Sequence, residues 1–124
     1  MSGSDFHSIN ARARWLAASG SVLAGATVAL SAYATHAAHG EARSFLYIAS
    51  VLGFGHGVAL AALAPRANGC LQFIALCGLL LGAVLFSGGL TLRYVFEMPV
   101  RVAAIGGSVL ILSWLLHAAA TLRR

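Results

Sequence analysis

Charge is what this 124-residue sequence has least of, since only 9% of its residues are Asp, Glu, Lys or Arg. A soluble domain carries roughly a quarter charged residues, so these few charges are too sparse to cover a water-exposed surface. The acidic residues number three, and the eight basic residues are all Arg. In contrast, 60% of the residues are hydrophobic, and the mean hydropathy is +0.87. This composition excludes an ordinary soluble enzyme, a disordered region and a nucleic-acid-binding domain, and it indicates a small membrane protein.

The charged residues divide the sequence into four uncharged stretches. A helix needs about 20 apolar residues to cross a bilayer, and each stretch is long enough. Backbone groups in lipid must bond within their own helix, and the stretches are far too long for barrel strands. We therefore predict an all-α fold, a polytopic membrane protein with a compact four-transmembrane-helix bundle and a single membrane domain over 1–124. The helices are expected at about 15–38, 44–64, 68–92 and 101–121, after a short polar N-terminal tail at 1–14.

The first stretch has a second interpretation, because Arg12 and Arg14 precede an apolar run that contains Ala32-Tyr33-Ala34. This order is typical of a secretory signal peptide with its cleavage site. We expect the segment to be retained as the first helix.

The Arg residues predict the orientation of the bundle. Four spans place both termini on one side of the membrane, and that side carries five Arg against three on the other. The five are Arg12, Arg14, Arg66, Arg123 and Arg124, and the three are Arg43, Arg93 and Arg101. Under the positive-inside rule we expect both termini in the cytoplasm.

Small residues recur at four-residue spacing in every predicted helix. The hydrophobic effect does not drive helices together in lipid. Helices instead pack where small residues allow their backbones to approach closely. The first helix carries a stripe of Ala17, Ser21, Gly25 and Ala29, and the later helices carry Gly53 and Gly57, Gly78 and Gly82, and Ala103 and Gly107. The adjacent glycines Gly88-Gly89 and Gly106-Gly107 indicate close approach or a local bend. We predict one bundle packed through these faces, with dimerisation as the alternative.

Polar side chains inside a membrane are the default functional candidates. No acidic residue or Arg lies at the centre of a predicted span, which argues against a small proton-coupled exporter and against a channel with an acidic ring. A haem held by two histidines needs ligands at one depth, whereas His36, His56 and His117 are predicted at different depths. His36 and His39, with Glu41 nearby, lack a third metal ligand of defined spacing. We therefore predict no catalytic, cofactor-binding or metal-binding residues.

His56 lies between Gly55 and Gly57, which allow another helix to approach the imidazole. Two interpretations stay open: a hydrogen bond across the bundle that specifies packing, or contact with a ligand or proton relay. Ser87 is expected about 10 Å shallower, so we predict separate partners for the two side chains. The candidate functional or packing residues are His36, His56, Ser87, Gly88, Gly106 and Gly107.

Four segments resemble the YgdD-like family of small bacterial inner-membrane proteins, which includes the transmembrane protein 256 group. The most specific is Gly82–Leu90, which is similar to the family's Gly-x-x-Leu-Phe-Ser-Gly-Ser-Leu element. Phe54–Leu60 matches the His-containing second helix, and Ala104–Gly107 with Ser113-Trp114 matches the fourth. Ser31–His36 keeps the His of the first element without its two glycines. The resemblance implies four helices and a plasma-membrane location, with no catalytic activity assigned.

These observations predict a small integral inner-membrane protein without catalytic activity of its own, which acts through helix–helix contacts as an accessory subunit of a larger membrane complex. The alternative is a small-molecule or lipid-binding or transport protein that uses an intramembrane groove near His56 and Ser87. A haem- or metal-binding redox protein is the least favoured interpretation. The expected partners are membrane lipids and other integral membrane proteins, with a homo-oligomer as a further option and no nucleic acid.

Overall fold

The computed structural model describes residues 3–99 and 101–123, without the side chains of residues 4–10. These residues form four long helices and one short 3₁₀ turn. The helices are α1 (Gly3–Ala37), α2 (Gly40–Leu63), α3 (Cys70–Tyr94) and α4 (Ala103–Leu122), and the 3₁₀ turn is Ala64–Arg66. Each helix contains a segment long and apolar enough to cross a membrane. The structure confirms the predicted all-α four-helix bundle.

The ends of α2, α3 and α4 lie within four residues of their predicted positions, but α1 begins at Gly3 instead of residue 15. The described part of the predicted polar tail, from Gly3 onward, therefore belongs to α1. Hydropathy marks where a helix leaves lipid, and the apolar span within α1 is Ala11–Ala37. Residues 4–14 contain neither Gly nor Pro, so nothing in their sequence ends the helix at the membrane boundary.

Arg43 closes the turn between α1 and α2. Its Nε donates hydrogen bonds to the carbonyls of Ala34 (3.1 Å) and Ala38 (2.8 Å), and its Nη2 donates to Thr35 (3.1 Å). The last carbonyls of a helix have no partner within the helix, and a cation is favourable at that end. Gly40 turns the chain into α2 with a φ of 61°, a conformation that glycine adopts without strain.

α2 and α3 form the centre of the bundle, because α1 packs on α2 and also touches α3, whereas α4 packs on α3. The largest fully buried side chains come from this central pair. They are Leu46, Leu60, Leu76 and Leu79. Leu16 of α1 and Leu110 of α4 complete the main cluster with Leu60, Leu76 and Leu79.

Two pairs of glycines bring neighbouring helices into backbone contact. A Cβ placed on Gly57 would lie 2.5 Å from the carbonyl oxygen of Gly20, so α1 and α2 meet at this pair. A Cβ on Gly82 would lie 3.0 Å from the carbonyl oxygen of Gly106, so α3 and α4 meet there. The prediction that Gly57 and Gly82 lie in packed interfaces is confirmed, and close approach of this kind is how small residues join helices in lipid.

Gly53 and Gly78 also face neighbouring helices, as predicted. A side chain at Gly53 would meet Thr27 and Ser87, and one at Gly78 would meet Ser113. These four small-residue positions of α2 and α3 therefore all serve contacts within the bundle.

Of the predicted stripe on α1, Ala17 packs against the main core cluster, but the other three residues point outward. Ser21 and Ala29 are exposed, and in the described part of the chain no atom outside its own helix lies within 4 Å of a Cβ on Gly25. The packed face instead runs through Gly20 and the buried Thr27. The prediction was wrong because α1 carries small residues on two faces, and four-residue spacing alone cannot tell which face meets α2.

The adjacent glycines also divide between packed and open positions. Gly89 and Gly106 make close contacts, with Ala103 and with the backbone of Phe86 respectively. Gly107 is in ordinary van der Waals contact with the Phe86 ring, at 3.7 Å or more. A side chain on Gly88 would meet no described atom within 4 Å.

Candidate functional site

His56 of α2 makes two hydrogen bonds that together define its tautomer. Its Nε2 lies 3.0 Å from the indole Nε1 of Trp114 in α4, and its Nδ1 lies 2.7 Å from the carbonyl oxygen of Leu52. An indole nitrogen can only donate, so Nε2 of His56 is the acceptor. Nδ1 therefore carries the proton and donates it to Leu52. The geometry is that of a neutral imidazole, as expected for a side chain inside a membrane.

Trp114 places His56 in a row with His117, and we call these three residues the His–Trp–His cluster. The ring centroids of His56 and Trp114 are 5.9 Å apart, and those of Trp114 and His117 are 6.0 Å apart in an edge-on arrangement. The indole thus separates the two imidazoles. Sequence reasoning missed Trp114 as the partner, although an indole N–H within a span always requires an acceptor.

Ser87 of α3 lies in a separate contact, where three helices meet. It is buried, and its hydroxyl donates a 2.8 Å hydrogen bond to the carbonyl oxygen of Ala49 in α2. Thr27 of α1 reaches the same place beside Gly53, and its own hydroxyl bonds to carbonyls of α1. The absence of a side chain at Gly53 makes room for both hydroxyl residues.

His56 and Ser87 therefore have separate partners, as predicted. Ala49 precedes His56 by seven residues, or about 10 Å along the helix axis. A groove of about 440 Å³ between α1 and α3 is lined by Ser87, Gly88 and mostly apolar side chains, and His56 is not among its lining residues. The expected groove near both residues therefore lies beside Ser87 and is not shared by His56.

His36 lies in the last turn of α1 and His39 just before α2. Both stand at the end of the bundle opposite Gly3 and Arg123, which we call the distal end. His36 and His39 are both exposed there. Among residues 3–99 and 101–123, leaving out the side chains of 4–10, no group of three or more His, Cys, Asp or Glu side chains is arranged to hold a metal ion. The cysteines Cys70 and Cys77 are unpaired and exposed.

Gln72 is a buried polar side chain whose role the sequence did not predict. Its Oε1 accepts a 2.8 Å hydrogen bond from the backbone N–H of Asn68, just before α3 begins. Its Nε2 lies 3.4 Å from the hydroxyl of Thr121 near the end of α4. Gln72 therefore caps one helix and joins it to another, which is a structural role.

No protein-family model, no curated protein and no solved structure matches this chain. The resemblance of its four segments to a known family stays a prediction.

Proposed function

We propose that this multi-pass membrane protein is an accessory subunit without catalytic activity, which binds another integral membrane protein through the outward face of α1. We define the outward face as Ser21, Val22, Gly25 and Ala29, all of which are exposed. α1 is also the least buried of the four spans. Small residues on a lipid-facing surface allow a second helix to approach closely, so this face suits a transmembrane helix of a partner.

The observation that carries the proposal is the open position of Gly25 between two small residues of the outward face, Ser21 and Ala29. Gly53, Gly57, Gly78, Gly82 and Gly106 all contact a neighbouring helix inside the bundle. Among the described residues Gly25 has no such neighbour. Gly88 is open as well, but at four-residue spacing it lies between the larger Val84 and Leu92, whereas Gly25 lies between Ser21 and Ala29.

The hydrogen bonding of the bundle supports a non-catalytic role. In the described part of the chain, every buried side-chain nitrogen or oxygen has a hydrogen-bond partner. A site prepared for a reaction usually holds perturbed or unsatisfied groups, whereas these polar residues are used to join helices.

Photo-crosslinking in native membranes tests this proposal. A photoreactive phenylalanine replaces Val22 on the outward face or Val51 on α2, two positions of matched exposure (72% and 69%). We expect one discrete adduct with a membrane protein from position 22 and none from position 51. Gly25→Leu should abolish the adduct, whereas Gly55→Leu should preserve it, because both glycines face open space but only Gly25 lies on the outward face.

Equal crosslinking from positions 22 and 51 would contradict the proposal. An adduct with the mass of two copies of this chain would replace the accessory role by homo-oligomerisation.

A second candidate function is the binding of a lipid or small apolar molecule in the α1–α3 groove. This function is favoured by the apolar lining of the groove, which includes Leu23, Leu30 and Val84. The buried side chain of Ser87 lies beside them. Gly88→Leu would fill this groove without entering a helix interface, and it should therefore prevent such binding while leaving stability unchanged.

We further propose the bacterial inner membrane as the location, with both termini in the cytoplasm and with kinship to the YgdD-like family. The support is the five-to-three distribution of Arg residues and the four matching segments of sequence.

A further inference from the structure

A pocket of about 490 Å³ opens at the distal end, between the start of α2, the end of α3 and the start of α4. We call it the distal pocket. This volume falls within the range of about 300–1,000 Å³ that is typical of ligand sites. Leu90, Ala103 and Phe45 contribute apolar surface to its lining, while Glu41, Arg93 and Arg101 bring charge to the same pocket.

The pocket exists because α4 begins below the end of α3. Gly89 contacts Ala103, the first residue of α4, and α3 continues for five more residues to Tyr94. At 1.5 Å per residue, the first turn of α4 is recessed by about 7.5 Å. The recess leaves apolar and charged side chains around one pocket, a combination that suits a site at a membrane–water interface.

The three charges of the distal pocket have no ionic partner. Within the described ranges, Glu41 and Arg101 make no hydrogen bond or ion pair, and Arg93 contacts only the ring of Tyr94, 5.6 Å from its centroid. The planar guanidinium group of Arg donates hydrogen bonds in a geometry that matches phosphate oxygens, and a carboxylate accepts hydrogen bonds from an ammonium group. Glu97 lines a second pocket with the same Arg93 and Arg101, and it forms no ion pair with either within the described residues. The two guanidinium groups and the Glu41 carboxylate of the distal pocket complement a ligand that carries a phosphate beside a primary amine.

We propose that the distal pocket binds the headgroup of a phospholipid with a phosphate and a primary ammonium group. Its phosphate lies between Arg93 and Arg101, its ammonium faces Glu41, and its glycerol and acyl chains follow Leu90 and Ala103 toward the hydrocarbon. A phosphate alone would leave Glu41 unpaired, so the carboxylate selects the zwitterionic headgroup over an anionic one.

Other features of the pocket support a lipid as the source of this chemistry. Phe45 and Tyr94 stack with centroids 4.9 Å apart and an interplanar angle of 6°, and aromatic rings are enriched at membrane interfaces. α4 has no side-chain cap at Val102, so its first backbone N–H groups add donors that favour a phosphate.

Native mass spectrometry of the detergent-purified full chain tests the proposal. The protein is mixed with equal amounts of dioleoyl phosphatidylethanolamine, phosphatidylglycerol and phosphatidylcholine. We expect the phosphatidylethanolamine adduct to dominate. Arg93→Gln combined with Arg101→Gln should lower it about tenfold or more, because a charge-assisted hydrogen bond contributes about 1.5–3 kcal/mol and 1.4 kcal/mol is tenfold in affinity.

Glu41→Gln separates headgroup selection from charge attraction. This variant should lose the preference for phosphatidylethanolamine over phosphatidylglycerol while it still binds both lipids. The matched control is Arg123→Gln, which removes one exposed positive charge at the opposite end and should change nothing.

Equal adducts of all three lipids on the wild-type chain would overturn the proposal, as would an equal loss in Arg123→Gln. Free phosphoethanolamine is added as a competitor at the same concentration as the lipid. Displacement of the lipid at this equal concentration would identify a soluble phosphate–amine ligand instead, and the lipid part of the proposal would fail. Glu41→Gln retains both Arg residues, so the test stands even if the double Arg variant does not fold.

Discussion

Replacing Gly57 by Ala tests how much of the stability of the bundle depends on backbone contact between α1 and α2. The added Cβ would lie 2.5 Å from the carbonyl oxygen of Gly20 and 2.8 Å from the backbone nitrogen of Ala24. All of these neighbours are backbone atoms, so no side chain can rotate away. Relief requires the two helices to separate by about 1 Å, since non-bonded atoms prefer about 3.5–4.0 Å.

That separation would weaken every contact along the interface. A gap of 0.5–1 Å forfeits about a quarter to a half of each dispersion contact, and overpacking a tight core typically costs about 1–3 kcal/mol. We expect Gly57→Ala to lower the free energy of unfolding by about 2 kcal/mol. Gly55→Ala is the matched control, because it lies on the same helix and would meet no described atom within 4 Å.

The measurement is reversible unfolding of both variants in detergent or bicelles. The control should be unchanged or slightly more stable, since Ala is the better helix former by about 1 kcal/mol. If Gly57→Ala is as stable as Gly55→Ala, the two helices are not held by backbone contact at this position, and the packing described above is refuted.

Two further predictions concern the His–Trp–His cluster and the topology. Trp114→Phe retains an aromatic ring but removes the N–H donor to His56, and we expect a loss of about 1 kcal/mol in unfolding measurements. If Trp114→Phe leaves the free energy of unfolding unchanged, this hydrogen bond does not stabilise the bundle. A reporter fused at the C-terminus should be active in the cytoplasm, because the Arg distribution favours that side. Periplasmic activity would reverse the proposed orientation.

The number and ends of the helices could be predicted because the bilayer imposes them. Charged residues cannot remain in hydrocarbon, so they mark where each span ends. For α3, the uncharged stretch ends just before Arg93, and the helix ends at Tyr94. The same logic failed at the start of α1, where the helix continues through Arg12 and Arg14 beyond the hydrocarbon. Charge ends a span, but only a change in backbone preference ends a helix.

The packed faces of α2 and α3 could be predicted from the spacing of their glycines, but the packed face of α1 could not. Gly20 and Gly25 lie on the same helix in similar surroundings of small residues, yet Gly20 contacts Gly57 and Gly25 faces outward. Lipid solvates both faces of α1 equally well, so hydrophobicity does not indicate which face is buried. The choice depends on the rotation of α1 against α2, which Arg43 helps to set through its bonds to the end of α1.

The pairing of His56 with Trp114 could not be predicted by counting residues from the start of each helix, because α2 and α4 do not begin at the same depth. His56 lies 16 residues after Gly40, or about 24 Å from the distal end, whereas Trp114 lies only 11 residues after Ala103, or about 16.5 Å. The recessed start of α4 adds about 7.5 Å to the second value, and the two side chains become level at about 24 Å. The contact between Gly89 and Ala103 sets this offset. The same recess therefore brings Trp114 to His56 and opens the distal pocket, so a variant that shifts α4 along α3 should alter both together.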